Sequence, residues 1–183
     1  MKAIRFTTAD GTLIRDAVES DLVSQDNYFA DATDEFLLKL GVDPSMVRDR
    51  TRDFGPFREL QKIPLETREI HLFTFERAGV VIGSSTLKAI RFGESAEVHG
   101  HLYDESLRGK GAVSGFIREY LKLVFETFQL QKIIAEPSVQ NVAPNRVLEK
   151  FGAKLVGTFE RPATGILLAR TANRYEITAA NLF

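Results

Sequence analysis

Six residues near the middle of the chain, Leu107-Arg108-Gly109-Lys110-Gly111-Ala112, constrain it more than any other stretch. Glycines at 109 and 111 let the backbone turn tightly and expose successive N–H groups, with no Cβ to keep an anion away. The residues that follow open a long amphipathic segment, so the loop leads into a helix N-terminus whose unpaired donors and partial positive charge favour phosphate. Arg108 and Lys110 add formal charge beside the turn. A tight surface turn with incidental basic residues would also give this short string. Two familiar phosphate loops do not fit. Lys110 is followed by Gly111 rather than the Ser or Thr of a triphosphate loop. The third glycine and downstream acid of a dinucleotide fingerprint are also out of place.

At 183 residues the chain is long enough for one domain, 1–183, with a substantial core. An apolar fraction of 44% beside a charged fraction of 27% is that of a globular protein in water. No run is long enough to span a membrane, and residues 1–20 hold no secretion-type apolar core. Zero cysteines excludes disulfides, thiolate metal sites and a cysteine nucleophile, and is compatible with the cytoplasm. The formal charge of −1 gives little long-range attraction to nucleic acid or anionic lipid. Only His71, His99 and His101 supply imidazole, without metalloenzyme spacing, so no metal is expected.

Periodicity divides the chain. Lys2–Thr7 reads as a first strand before the Asp10-Gly11 turn, and Asp21–Leu40 as helix stopped by Gly41. Val42–Lys62 resists assignment because Asp43-Pro44 and Gly55-Pro56 interrupt it. Glu69–Glu76, Val80–Ile90 and Ala96–Tyr103 form an antiparallel meander, their links being too short for crossovers. Gly111–Leu130 turns helical, with Phe116, Ile117, Tyr120, Leu121, Val124, Phe125 and Phe128 in one stripe. Lys132–Glu136 then follows a crossover long enough for parallel pairing with the strand before the glycine loop. Val142–Phe151 is helical, Gly152 breaks it, and Lys154–Arg161 and Gly165–Arg170 supply last strands. Residues 171–183 read as a terminal strand, a tail or a partner-contact segment. The order β–α–β–β–β–α–β–α–β–β implies a mixed α/β sheet flanked by helices.

With Arg108 and Gly111 at two specified positions of an Arg/Gln-x-x-Gly-x-Gly/Ala loop, the chain resembles the GNAT superfamily of N-acetyltransferases, most of all its ribosomal-protein and N-terminal acetyltransferase branch. The likeness covers about Glu69 to Arg170. Its second motif runs from Asn141 to Gly152, where Asn141, Arg146, Glu149, Lys150 and Gly152 match. Three positions depart: Val113 replaces a small residue, Pro144 stands where Ser is common, and Leu148 stands where many relatives carry an acid-donating Tyr.

The resemblance implies a single GNAT-like domain with a centrally splayed sheet and acetyl-coenzyme A as cofactor. It places main-chain groups of Leu102 and Tyr103 on the pantetheine arm and thioester. Donors from Arg108, Gly109, Lys110, Gly111, Ala112 and Val113 would hold the pyrophosphate, with Asn141 at the pantetheine end. The reaction implied is direct acetyl transfer to a primary amine, either a protein or peptide N-terminus or a small molecule. A homodimer fits the same reading. The competing function is a coenzyme A-binding or interaction module without catalysis. Period-two alternation puts Glu97, His99, His101 and Tyr103 on one strand face, so Glu97, His101 and His99 are candidate bases and Tyr103 a candidate acid. A polar strand face with no proton-transfer role accounts for the same alternation. Gly111→Asp puts a carboxylate where phosphate would approach, and should weaken acetyl-coenzyme A binding at least tenfold in a titration. Undiminished affinity would mean the loop is misassigned.

Overall fold

The computed structural model describes residues 3–49, 51–107 and 112–182. Strands β1 (Arg5–Thr7), β2 (Leu13–Asp16), β3 (His71–Arg77), β4 (Val80–Arg91), β5 (Ser95–Leu102), β6 (Lys132–Ala135), β7 (Lys154–Arg161) and β8 (Arg170–Thr178) form one sheet in the order β1-β2-β3-β4-β5-β6-β8-β7. Helices α1 (Glu19–Ala30), α2 (Asp34–Leu40), α3 (Gly55–Lys62), α4 (Ala112–Phe128) and α5 (Val142–Lys150) flank it. The meander β3–β4–β5 is antiparallel, and β5 pairs with β6 in parallel through the α4 crossover, as the connection lengths require. The fold is the mixed α/β sheet read from the sequence.

The stripe on α4 is the centre of the larger core. Phe116, Tyr120, Leu121, Val124, Phe125 and Phe128 are buried against Phe73, Phe75, Leu87 and Ile133 of the sheet. Tyr120 sets edge-on to both Phe73 and Phe75, with centroids 5.5 and 5.0 Å away. Its hydroxyl donates to Ser85 Oγ at 2.7 Å, so the one polar atom the ring carries inward is satisfied. A second, smaller cluster of Phe29, Leu37, Val42 and Val47 sits beneath α1 and α2 on the opposite face.

Several elements differ from the sequence reading. The helical stretch 21–40 is two helices, because the Thr33 side chain accepts from Phe36 N–H at 3.2 Å and starts α2 afresh. Gly41 ends α2 in the left-handed region at φ 77°, where glycine is unstrained. Gly55-Pro56 opens a helix rather than breaking one, since proline in a first turn lacks only an N–H that would have no intrahelical partner. β2 spans only four residues, too few for alternation to mark it as a strand.

The expected strand 165–170 is a turn held by the Thr164–Leu167 and Val42–Leu167 bridges. Of the readings of the last segment, the strand is the one observed: with Arg170, residues 171–178 form β8, an interior strand between β6 and β7. Its buried Tyr175 and Ile177 alternate with Arg174 and Glu176, and Ile177 pairs with Ile133 of β6, so its interior place follows from register rather than from a run of apolar residues. If β8 is structural, Ile177→Ala, at a fully buried position, should lower the unfolding free energy by about 2–5 kcal/mol in urea titrations. A change under 1 kcal/mol would contradict its interior place.

Candidate active site

β5 and β6 run side by side from Ser95–Lys132 to Val98–Ala135, and then they part. β5 continues to Leu102 in register with β4. The chain after β6 stays with β8 instead, through Asn173 N–H to Pro137 O at 3.0 Å, Val139 N–H to Thr171 O at 3.1 Å and a bridge from Ser138 to Ala172. The opening is therefore walled by two lengths of main chain. Tyr103 N–H donates to Ile82 O at 2.9 Å, so the odd-numbered residues of β5 direct their main chain to β4. Alternation turns the main chain of Gly100 and Leu102 into the opening. Of the two expected main-chain contacts, Leu102 is well directed and the Tyr103 N–H is committed to β4.

Side chains follow the same alternation. Val98 and Leu102 pack behind the sheet with the α4 core, and His101 and Tyr103 face α1. The His101 ring lies 5.0 Å from Phe29 and 5.8 Å from Tyr28. Tyr103 stacks on Tyr28 at 4.7 Å and donates its hydroxyl to Ser84 Oγ at 2.6 Å. Burial pushes that phenol well above its ordinary range, so it stays protonated. Glu97 stands apart, opposite Lys88 and Ile134 in the stretch where β5 is paired on both edges.

His99 stands at the point of parting, with its carbonyl accepting from Ser85 Oγ at 2.8 Å. Burial, then the charges of Lys88, His101 and Arg170, push its imidazole down to about 3, against the opposing pull of Glu136. A neutral, weakly basic His99 is a poor proton acceptor. The four candidates thus share a face but not a location.

Glu136, just after β6, belongs by resemblance to the splayed strand at the pantetheine arm, but nothing in the sequence marks it as a charged centre. It accepts from Arg161 and from Arg174 Nε, the latter at 2.5 Å. Burial alone would raise its proton affinity, but the two guanidinium groups more than offset this and hold the carboxyl below its usual range. Sequence offers only three arginines at 161, 170 and 174; the register that gathers them belongs to β7 and β8. Beside this front face, under the α1–α2 turn, is an open recess of about 760 Å³ lined by Asn27, Tyr28, Asp31, Phe36 and Tyr103 among others.

Asn141 precedes α5, and its carbonyl accepts from Asn145 Nδ2 at 2.8 Å while its side chain makes no capping bond. Leu148 is buried in the larger core, which explains why an apolar residue is tolerated there. Residues Arg108, Gly109, Lys110 and Gly111 lie outside the described residues. Helix α4 begins directly after them, at Ala112, and its first turn includes Val113.

Residues 23–154 match the family model of the acetyltransferase (GNAT) domain. The chain belongs to the GNAT acetyltransferase family. Its fold is similar to that of RimJ from Mycobacterium smegmatis in complex with CoA-disulfide, at TM-score 0.73 and 20% identity over 98% of this chain and 88% of that one. It is also similar to the spermidine N-acetyltransferase of Vibrio cholerae in complex with CoA and spermine, at 0.70 and 19% over 93% and 97%. The ribosomal-protein-S5-alanine acetyltransferase of Vibrio fischeri gives 0.68 and 16% over the whole of both chains. No curated protein sequence matches the chain.

Family membership favours an enzyme over a non-catalytic module. This acetyltransferase uses acetyl-coenzyme A, and main chain left unpaired between parted strands, with a helix starting nearby, has the donors and acceptors that a ligand bearing amides and phosphates needs.

The depressed proton affinity of His99 sets a pH window. Below pH 6.5, its ordinary value, the unfolded chain binds a proton that the native imidazole refuses. The stability contributed by His99 is therefore present above 6.5 and lost as pH falls toward 3. His99→Gln should remove that part of the acid sensitivity. In the parent protein the His99 ring resonances should stay flat between pH 5 and 8 by NMR, and a midpoint near 6.5 would contradict the assignment.

Proposed function

We propose that this acetyltransferase acylates the primary amine of a protein or peptide N-terminus, or of a small molecule, by direct transfer within a ternary complex. The observation that carries the reading is the parting of β5 and β6 beneath a front face bearing His99, His101 and Glu136. Acetyl-coenzyme A supplies the activated acyl thioester. The chain supplies position, charge and a proton route. Leu102 main chain, turned into the opening, is suited to hold the acyl carbonyl oxygen and stabilise charge that develops on it. Arg108 to Val113 would receive the phosphates, and Asn141 the pantetheine end.

The amine must lose a proton. Support for His101 as its acceptor is that it lies on the part of β5 beyond the opening, against Phe29 and Tyr28. Glu97 lies in the doubly paired stretch, and His99 is too weakly basic. Tyr103 is a poor donor to a departing thiolate, because its hydroxyl already donates to Ser84. With Pro144 and Leu148 at the usual hydroxyl positions, the thiolate takes its proton from water or takes the one that the nitrogen sheds as it is acylated. Holding both reactants in place supplies much of the acceleration.

A cytoplasmic location, a homodimer and the absence of direct nucleic-acid binding belong to the same reading; a net charge of −1 agrees with the last. Among the described residues, no helix is long and apolar enough to cross a membrane.

His101→Gln should lower kcat by roughly 10²–10⁴-fold with acetyl-coenzyme A affinity retained, and should erase the acidic limb of the pH–rate profile. Glu97→Gln should stay near the parental rate. The reverse pattern would transfer the role to Glu97, and two unimpaired variants would leave water as the proton acceptor.

A further inference from the structure

The front face carries more positive charge than its own carboxylate balances. Arg161 and Arg170 are directly paired across β7 and β8, and Arg174 follows on the same face of β8, beside Glu136. Arg161 and Arg174 both bond to Glu136 and lie over the Phe159 ring, 5.5 and 5.4 Å from its centroid. Arg170 has no such anchor. Its Nη1 is shielded from solvent and has no hydrogen-bond partner among the described residues, and the same holds for Arg161 Nε. The Arg170 side chain runs under the end of α2, where a Cβ added to Gly41 would lie 3.1 Å from its Cδ. Its charge reaches His99, at the parting of β5 and β6. Burial and Arg161 both disfavour that charge, and Glu136 alone supports it.

A guanidinium withdrawn from water without a full complement of acceptors is costly, and a carboxylate with two oxygens is its geometric complement. Three acids of the front helices are already paired. Asp21 is held by Arg15 and Thr74, Asp26 by Arg52 and Asp34 by Arg48.

We propose that the acceptor amine carries a carboxylate close to its amino group, and that Arg170, with Arg161 beside it, binds that carboxylate; this rests on the transferase reading above. Anchoring the carboxylate at Arg170 directs the amine toward His99 and the parted strands. Three guanidinium groups around one carboxylate repel a polycation by the same electrostatics. Two sources present this chemistry: a free amino acid, and a peptide whose first residue is acidic.

The test uses matched ligands. Coenzyme A-saturated protein is titrated by calorimetry with N-acetylated Glu-Ala-Ala-amide and with its Gln-Ala-Ala-amide counterpart. The acidic peptide should bind at least tenfold tighter at low salt. Arg170→Gln should bring the two within about twofold of each other, and Arg170→Lys should keep part of the difference. Coenzyme A affinity, measured alongside, reports that each variant is folded. Equal binding in the parent protein, or a preference that survives Arg170→Gln, overturns the proposal.

Transfer assays then use the unacetylated peptides, free glutamate and spermidine. Preference for the acidic peptide identifies a polypeptide source, and preference for glutamate a small molecule. Preference for spermidine overturns the proposal. No turnover of any amine, with selective binding of the acidic peptide intact, would remove the transferase reading and leave the anion site standing.

Discussion

β5 and β6 begin as parallel partners but answer to different neighbours, and most of the site follows from that competition. β8 enters between β6 and β7 and holds the chain through Val139. β5 is held on its other edge by β4 as far as Leu102 and Tyr103. The Tyr120 hydroxyl, through Ser85, reaches the carbonyl of His99, the first residue of β5 beyond the paired section. A buried bond of this kind contributes about 1 kcal/mol when made and costs more when one partner is left unsatisfied. The aromatic core on α4 therefore holds β5 against β4 at the point where β6 leaves it. Main chain that would otherwise be consumed in a ladder is turned toward a ligand.

The electrostatics of the front face follow from its partial removal from water. Desolvation suppresses proton uptake by His99 and disfavours charge on Arg170, while paired guanidinium groups keep Glu136 ionised. Similar residue types elsewhere do structural work: Arg68 is buried against His71 Nδ1 at 2.9 Å, and His71 Nε2 meets Asp16 at 2.9 Å. His71, far from the parted strands, closes a polar chain inside the core. What separates a structural histidine from a functional one here is not its type but which neighbours share its enclosure.

The glycine loop, the α4 stripe and the meander were legible because each is a local signal: permissive backbone, a 3.6-residue period, links too short to cross over. Those signals, with the Asn141–Gly152 motif, determine the family and hence the cofactor. They also place Glu97, His99, His101 and Tyr103 on one face, since alternation in a strand is a local property too. The sequence did not separate those four. Whether a residue on β5 lies below, at or beyond the opening depends on where β6 leaves, and that is set by β8, some forty residues further along the chain.

The same limit hid the interior place of β8 and the Glu136 cluster. Only the second half of β8 alternates, with Tyr175 and Ile177 buried; in its first half Asn173 bonds to Asn145 on one side of the sheet, and Arg174 to Glu136 on the other. By itself the sequence determined the fold family, the phosphate-loop candidate and the face that bears the chemistry, all of which rest on short-range pattern. Only the tertiary structure decided which candidates stand at the opening, which are spent on neighbours, and where three distant arginines converge. Those outcomes depend on strand register and burial, which arise when segments far apart in sequence compete for the same hydrogen bonds and exclude the same water.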